Sequence, residues 1–259
     1  MIFSKEILVR LYNQDYTRLT KSEGCFQTKE INGVNCLPLT FVPKMPWSNI
    51  TNEDLEILFA KKEYDLTDVC LVKIPNFLKK KLEKLNISKI SSNSEVQILQ
   101  KLESYKKTLR LLISYYERFN IDNSTIIPHS LYFGESNLSN NTFNRDKNVY
   151  IGMHLDSFER SELTARKNAR NRICINLGKE SRYLLFYNIS LLTMYHYVKD
   201  DVEVRKNVNM IYKKFALKFP DTPIYRLEVK PYEAYIAPTE YIIHDGSSWN
   251  SLNPDLNLV

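Results

Sequence analysis

The chain has 259 residues, of which 43% are hydrophobic and 25% charged, with a formal net charge of +6. This is the balance of a globular chain with a sizeable core, and it excludes a disordered or low-complexity segment. The excess charge is moderate and sits in short runs such as Lys79 to Lys84. These read as solvated helix faces rather than a nucleic-acid surface, because no aromatic-interleaved motif accompanies them.

The first 45 residues are mixed, with turn signals at "INGVN" and a proline-rich "LPLTFVPKMPW". No apolar run approaches the ~20 residues that a membrane span requires, and charges interrupt the first apolar stretch. Cys25, Cys36, Cys70 and Cys174 are scattered without a Cys-x-x-Cys pair. The expectation is free thiols in a reducing compartment, and a cytoplasmic protein.

Thr51 and Asp54 have the capping-box spacing, which predicts a helix through "LEILFAKK". A strand is predicted over "DVCLVKIPNFL", stopping near Pro75. The next helix is predicted to start at Ser94, boxed by Gln97, with Leu99, Leu102, Leu109, Leu112, Ile113, Tyr116 and Phe119 forming its packing stripe. That stripe suits a support helix lying on a sheet.

After residue 120 the texture turns to short β-rich runs: "STIIPHSLYF", "VYIGMHL", "RICINL", "RYLLFY", "IYRLEV" and "EAYIAPTEYIIH". A polar segment from Gly134 to Asn148 reads as a lid, and a helical insertion lies between Tyr187 and Ile224. The predicted organisation is one domain, with residues 1–120 an α-rich support region, 121–250 a β-barrel core and 251–259 a C-terminal tail.

Side chains alternate faces along a strand, so His154 and Asp156 in "VYIGMHLDSF" share one face. Two ligands from one strand ask for a third from another. Of the remaining histidines, His129, His196 and His244, the last ends an apolar strand just before a glycine turn, as His154 ends its own. Two histidines and one carboxylate on one side of a metal leave three positions open, an arrangement that suits non-haem Fe(II).

"HLD" on a strand, followed in order by "NRICINLG", "RYLLFYN" and "YEAYIAPTEYIIHDGSS", resembles the core of the Fe(II)/2-oxoglutarate-dependent oxygenases over residues 125–250. The resemblance implies an α+β fold with a double-stranded β-helix, a jelly-roll or cupin-like barrel, under an N-terminal helical layer. It implies His154, Asp156 and His244 as catalytic metal ligands, with Fe(II), O₂ and 2-oxoglutarate as cofactor and co-substrates. A hydroxylase of a small molecule is then expected, with a free or carrier-bound amino acid or a natural-product intermediate as substrate. No membrane or nucleic-acid partner is expected, and a homodimer is left open.

The pattern departs from the family at its end. Relatives place a basic residue about ten positions after the second histidine to pair with the far carboxylate of 2-oxoglutarate, whereas "HDGSSWNSLNPDLNLV" contains none. Arg172 and Arg182, each opening a strand, are the replacement candidates, with Ser247 and Ser248 as hydroxyl donors. Arg160, Arg166 and Arg170 lie in a basic loop beside the expected site mouth, where some could receive a substrate carboxylate and most read as solvated. Two alternatives stay open: a cupin-like metalloenzyme that does not use 2-oxoglutarate, and a nucleic-acid-binding or nucleic-acid-modifying protein.

Overall fold

The computed structural model describes residues 7–59, 67–117, 127 and 130–259. In chain order its strands and helices are β1 (Val9–Leu11), β2 (Leu19–Ser22), β3 (Cys25–Ile31), β4 (Val34–Pro43), β5 (Ser48–Asn49), α1 (Asn52–Leu58), β6 (Val69–Lys73), α2 (Asn76–Lys84), α3 (Asn93–Lys101) and α4 (Glu103–Tyr116). There follow β7 (Leu131–Gly134), β8 (Phe143–Asn144), β9 (Val149–Tyr150), β10 (Arg172–Asn176), β11 (Arg182–Ser190), α5 (Leu191–Val198), α6 (Val202–Lys206) and α7 (Met210–Lys218). The chain ends with β12 (Ile224–Val229), β13 (Glu233–Ala237), β14 (Ile242–Ser247) and β15 (Asp255–Leu258).

The architecture is mixed α+β, with three mostly antiparallel sheets and seven helices among the described residues. One sheet runs β1-β6-β13-β10-β15-β7, a second β14-β11-β12-β2-β5, and a small third β3-β4-β9-β8. The first two face each other across a core built from both, including Val9, Leu71, Cys174 and Tyr235 from one and Leu184, Phe186, Tyr225 and Leu227 from the other. They remain separate sheets, so the closed barrel expected from sequence is not formed among the described residues.

Helices cover both outer faces. On the second sheet, Leu185, Tyr187 and Ile224 pack under Met194, Ile211, Tyr212 and Phe215 of α5 and α7. On the first, Cys70, Ile175, Ala234 and Ile236 pack under Leu78, Leu82, Leu99, Leu112 and Tyr116 of α2, α3 and α4. A strand buried on both faces loses its polar alternation, which is why "RYLLFY" and "EAYIA" are near-continuous apolar runs. No helix among the described residues is long and apolar enough to cross a membrane.

The Thr51–Asp54 capping box forms with both of its hydrogen bonds. Three other boundaries differ from the sequence expectation. The third helix is capped by Ser92, not Ser94: Ser92 Oγ accepts from the Glu95 amide while the Glu95 carboxylate reaches back to the Ser91 amide at 2.7 Å. A carboxylate is a better partner there than the Gln97 amide would be. The expected long stripe breaks at extended Leu102 (ψ 134°), which separates α3 from α4 and is exposed; Phe119 lies outside the described residues.

"EAYIAPTEYIIH" is two strands rather than one, because Pro238 cannot donate to a ladder and opens a turn. β13 therefore joins the first sheet and β14 the second, which places His244 inside β14 instead of at a strand end. The N-terminal region also departs from an α-rich layer: β1 and β6 extend the first sheet, and β2 and β5 extend the second.

Candidate metal centre

The run toward His154 pairs as a strand only at Val149–Tyr150, because Gly152 turns the chain with φ +69°. A Cβ there would lie 2.6 Å from Thr40 Cγ2 and 2.7 Å from the Phe41 carbonyl oxygen, so only glycine fits against β4. The Met153 amide then donates to the Phe41 carbonyl at 3.1 Å. One residue on, His154 pairs with His244 in an isolated antiparallel bridge. Each amide donates to the other's carbonyl, at 3.0 and 2.9 Å, and the ring centroids are 4.7 Å apart.

Asp156 completes the cluster. Its Oδ1 is 3.7 Å from His154 Nε2 and its Oδ2 is 3.5 Å from His244 Nε2. The three ligating atoms lie within 4.8 Å of one another, and among the described residues this is the one gathering of three such groups. His154 Nδ1 faces the Gly152 carbonyl at 2.9 Å, and His244 Nδ1 faces that of Ile242 at 3.4 Å. Those contacts assign the N–H to Nδ1 and turn each Nε2 lone pair toward the carboxylate, as metal-binding imidazoles require. Asp156 Oδ2 is buried without a hydrogen bond; Arg172 Nη2 lies 2.8 Å away but off line. Two aimed imidazoles and an under-satisfied buried carboxylate oxygen fit a divalent cation.

Electrostatics put two of the groups in ligand form at neutral pH. Burial opposes charge on Asp156, but His244, His154 and Arg172 outweigh it and hold the carboxyl well below the usual range. Burial pushes the His244 imidazole down to about 3, with His154 and Arg172 adding to the effect against the pull of Asp156. His154 moves the other way: burial is outweighed by the pull of the neighbouring Asp156 and Asp245 carboxylates.

The other sequence candidates divide. Arg172 reaches the centre, ion-paired to Asp156 and stacked over the exposed Phe158 ring at 4.6 Å. Arg182 is buried between the two large sheets: its Nε contacts Asp255 Oδ1 at 3.1 Å and its Nη1 contacts Cys174 Sγ at 2.7 Å. Its Nη2 rests against Gly246, where a Cβ would approach to 2.9 Å. Ser247 and Ser248 do not turn to the centre. Their hydroxyls donate to the Leu138 and Glu135 carbonyls, each at 2.9 Å.

Those serines also explain why residues 134–148 are not a free lid. The segment is stitched to β14 by the Asn141 amide on the Gly246 carbonyl and by Asn140 and Thr142 on the buried Asp245 carboxylate. His196 is exposed on α5, away from the cluster, and His129 lies outside the described residues.

Residues not singled out from sequence also build the site. Gly152, Thr239, Glu240, Asp245 and Asp255 shape or brace it. Arg166, named from sequence as one of three loop arginines for a substrate carboxylate or for solvent, is instead buried against the Asp156 carbonyl. The signal for Gly152 was present in "GMHLD", a glycine two residues before a ligand. The others carry no local signal. Compared with protein-family models, curated proteins and solved structures, the chain matches none.

Proposed function

We propose that this chain is a mononuclear non-haem Fe(II) oxygenase on a double-stranded β-helix framework, using 2-oxoglutarate to oxidise a small molecule. The observation that carries the reading is the convergence of His154 Nε2, His244 Nε2 and the Asp156 carboxylate on one point. Strand wiring supports it. Along the chain, β7, β10, β13 and β15 go to one sheet, while the His154 bridge, β11, β12 and β14 go to the facing one. Apart from the β11–β12 hairpin, successive segments alternate between the two sheets, the order that a double-stranded β-helix would give.

In this reading iron held by the three side chains would supply oxygen activation at its remaining positions. The chain's own residues do the rest. The bridge fixes the two imidazoles relative to each other, and Nδ1–H contacts to backbone carbonyls fix their tautomer. His244 and His154, with Arg172 adding to them, keep Asp156 ionised. Arg182 is the side chain suited to the far carboxylate of 2-oxoglutarate: it approaches β14 at Gly246, two residues from His244 and on the same face. Asp255, held also by Asn141 at 2.8 Å and Asn257 at 3.2 Å, takes Nε and orients the guanidinium.

One observation favours the cupin-like alternative. Both arginines already face a carboxylate, Arg172 that of Asp156 and Arg182 that of Asp255, so a dicarboxylate would enter without an uncompensated cation to meet it. Anaerobic titration separates the two readings. With Fe(II) bound, 2-oxoglutarate is expected to raise a weak visible charge-transfer band, and aerobic turnover to release succinate. A protein that binds Fe(II) but shows neither is the cupin-like enzyme, and one that binds no divalent metal is not an oxygenase of this kind.

A further inference from the structure

We propose that Arg166, through its buried pairing with Glu240, is the positioning residue that holds Asp156 in ligand geometry; this rests on the metal-centre reading above. Asp156 stands outside the backbone bridge that fixes the two histidines. Its amide donates to the Thr239 carbonyl at 3.1 Å, and its own carbonyl accepts from Arg166 Nη1 at 3.1 Å. Arg166 Nη2 donates to the neighbouring Ser157 hydroxyl at 3.1 Å. A single planar fork therefore spans both residues at the end of the His-x-Asp segment.

Glu240 ties the same fork to the other histidine. Its carbonyl is 3.5 Å and its Oε2 3.7 Å from Arg166 Nη1, while its Oε1 accepts from the Glu159 amide at 2.7 Å. Glu240 belongs to the turn between β13 and β14, which leads directly into His244. The pair thus braces the segment carrying Asp156 against the segment carrying His244.

Stability alone does not account for this arrangement. Arg166 is 3% exposed and Glu240 2%, although the loop around Arg166 is mostly solvent-facing. Arg166 Nε and Glu240 Oε2 are both buried without a hydrogen bond. A buried pair left partly unsatisfied costs desolvation that an apolar pair would not, so it is weak evidence for stability. What the fork supplies, and an apolar pair cannot, is a directional hold on the Asp156 carbonyl. Supporting contacts of this kind set ligand placement, and their loss usually weakens metal affinity by about 10–100-fold.

The test uses the full chain with Co(II) as the metal probe, read by its visible ligand-field absorption and by calorimetry. The double variant Arg166→Met with Glu240→Gln removes both charges while leaving an acceptor for the Glu159 amide. It is expected to fold with an unfolding midpoint near that of the wild type, to bind Co(II) about 10–100-fold more weakly, and to show an altered spectrum. Arg166→Lys keeps the charge but not the fork, and is expected to weaken Co(II) in the same direction. Wild-type affinity and spectrum in the double variant would overturn the proposal. So would a double variant that fails to fold, because the pair would then be structural. Wild-type protein that does not bind Co(II) would instead overturn the metal-centre reading itself.

Discussion

His154 and His244 are hydrogen-bonded to each other through their backbones, each amide to the other's carbonyl, at 3.0 and 2.9 Å. The two imidazoles are therefore held together whether or not anything lies between them. Asp156 then approaches both Nε2 atoms within 3.7 Å. A site so pre-organised has direct consequences for substitution.

Replacing either histidine or Asp156 with alanine is expected to abolish saturable Co(II) or Fe(II) binding while the fold survives. The backbone bridge does not depend on side chains. Isothermal titration calorimetry with circular dichroism checks this. Wild-type affinity in any two of the three variants would remove them as ligands.

The metal-free protein is expected to lose stability as pH falls below about 6.5, the unperturbed histidine value. His244, whose folded-state value is pushed down to about 3, is buried neutral. Its contribution is fully present above the unfolded-state value and is lost as pH falls toward the folded one. Between pH 6.5 and 5 the loss is about 2 kcal/mol at most, since each unit is worth about 1.4 kcal/mol. His154 works in the opposite sense, because its raised value lends stability below about 6.5 that fades as pH rises. Urea unfolding of wild type and His244→Gln over this range isolates the first effect. An equally steep acid loss in the variant would show that His244 is not its source.

Gly152→Ala is expected to destabilise the chain by at least about 2 kcal/mol and to weaken metal binding with it. A positive φ disfavours any side chain, and the new methyl would meet Thr40 and the Phe41 carbonyl. Because His154 follows two residues later, the strain falls on a ligand. Chemical denaturation gives the first number and metal titration the second; a neutral result in both would contradict the close approach.

Asp255→Asn is expected to cost about 3–5 kcal/mol, the usual result of removing one member of a buried ion pair. It leaves the Arg182 guanidinium buried beside a neutral amide. Replacing both, as Arg182→Met with Asp255→Leu, is expected to restore much of that loss. In the double variant the 2-oxoglutarate requirement, if Arg182 is the anchor, rises sharply while metal affinity holds. Guanidinium chloride unfolding and co-substrate titration measure the two effects.

The parts of this fold legible in the sequence are those with local causes. The Thr51–Asp54 cap lies within one helical turn and forms as its spacing implies. The apolar runs at residues 182–187 and 233–237 report burial on both faces. Competing local signals were harder to weigh. Ser92 with Glu95 and Ser94 with Gln97 are both plausible caps by spacing, and the carboxylate decides between them. In "EAYIAPTEYIIH" the apolar character hid a chain reversal that Pro238 imposes.

By itself the sequence determined which side chains could share a face, and so made His154 and Asp156 a pair and His244 their candidate third. Alternation along an extended chain is a property of the backbone, and needs no tertiary information. Only the folded chain decided the company those ligands keep. It set Arg166 under Asp156, Arg182 against Gly246, and the hydroxyls of Ser247 and Ser248 on a neighbouring loop. Such partners come from segments far apart in the chain, and strand register and sheet order choose among them. A buried arginine and a solvated one look the same in sequence until the opposing carboxylate is brought into place.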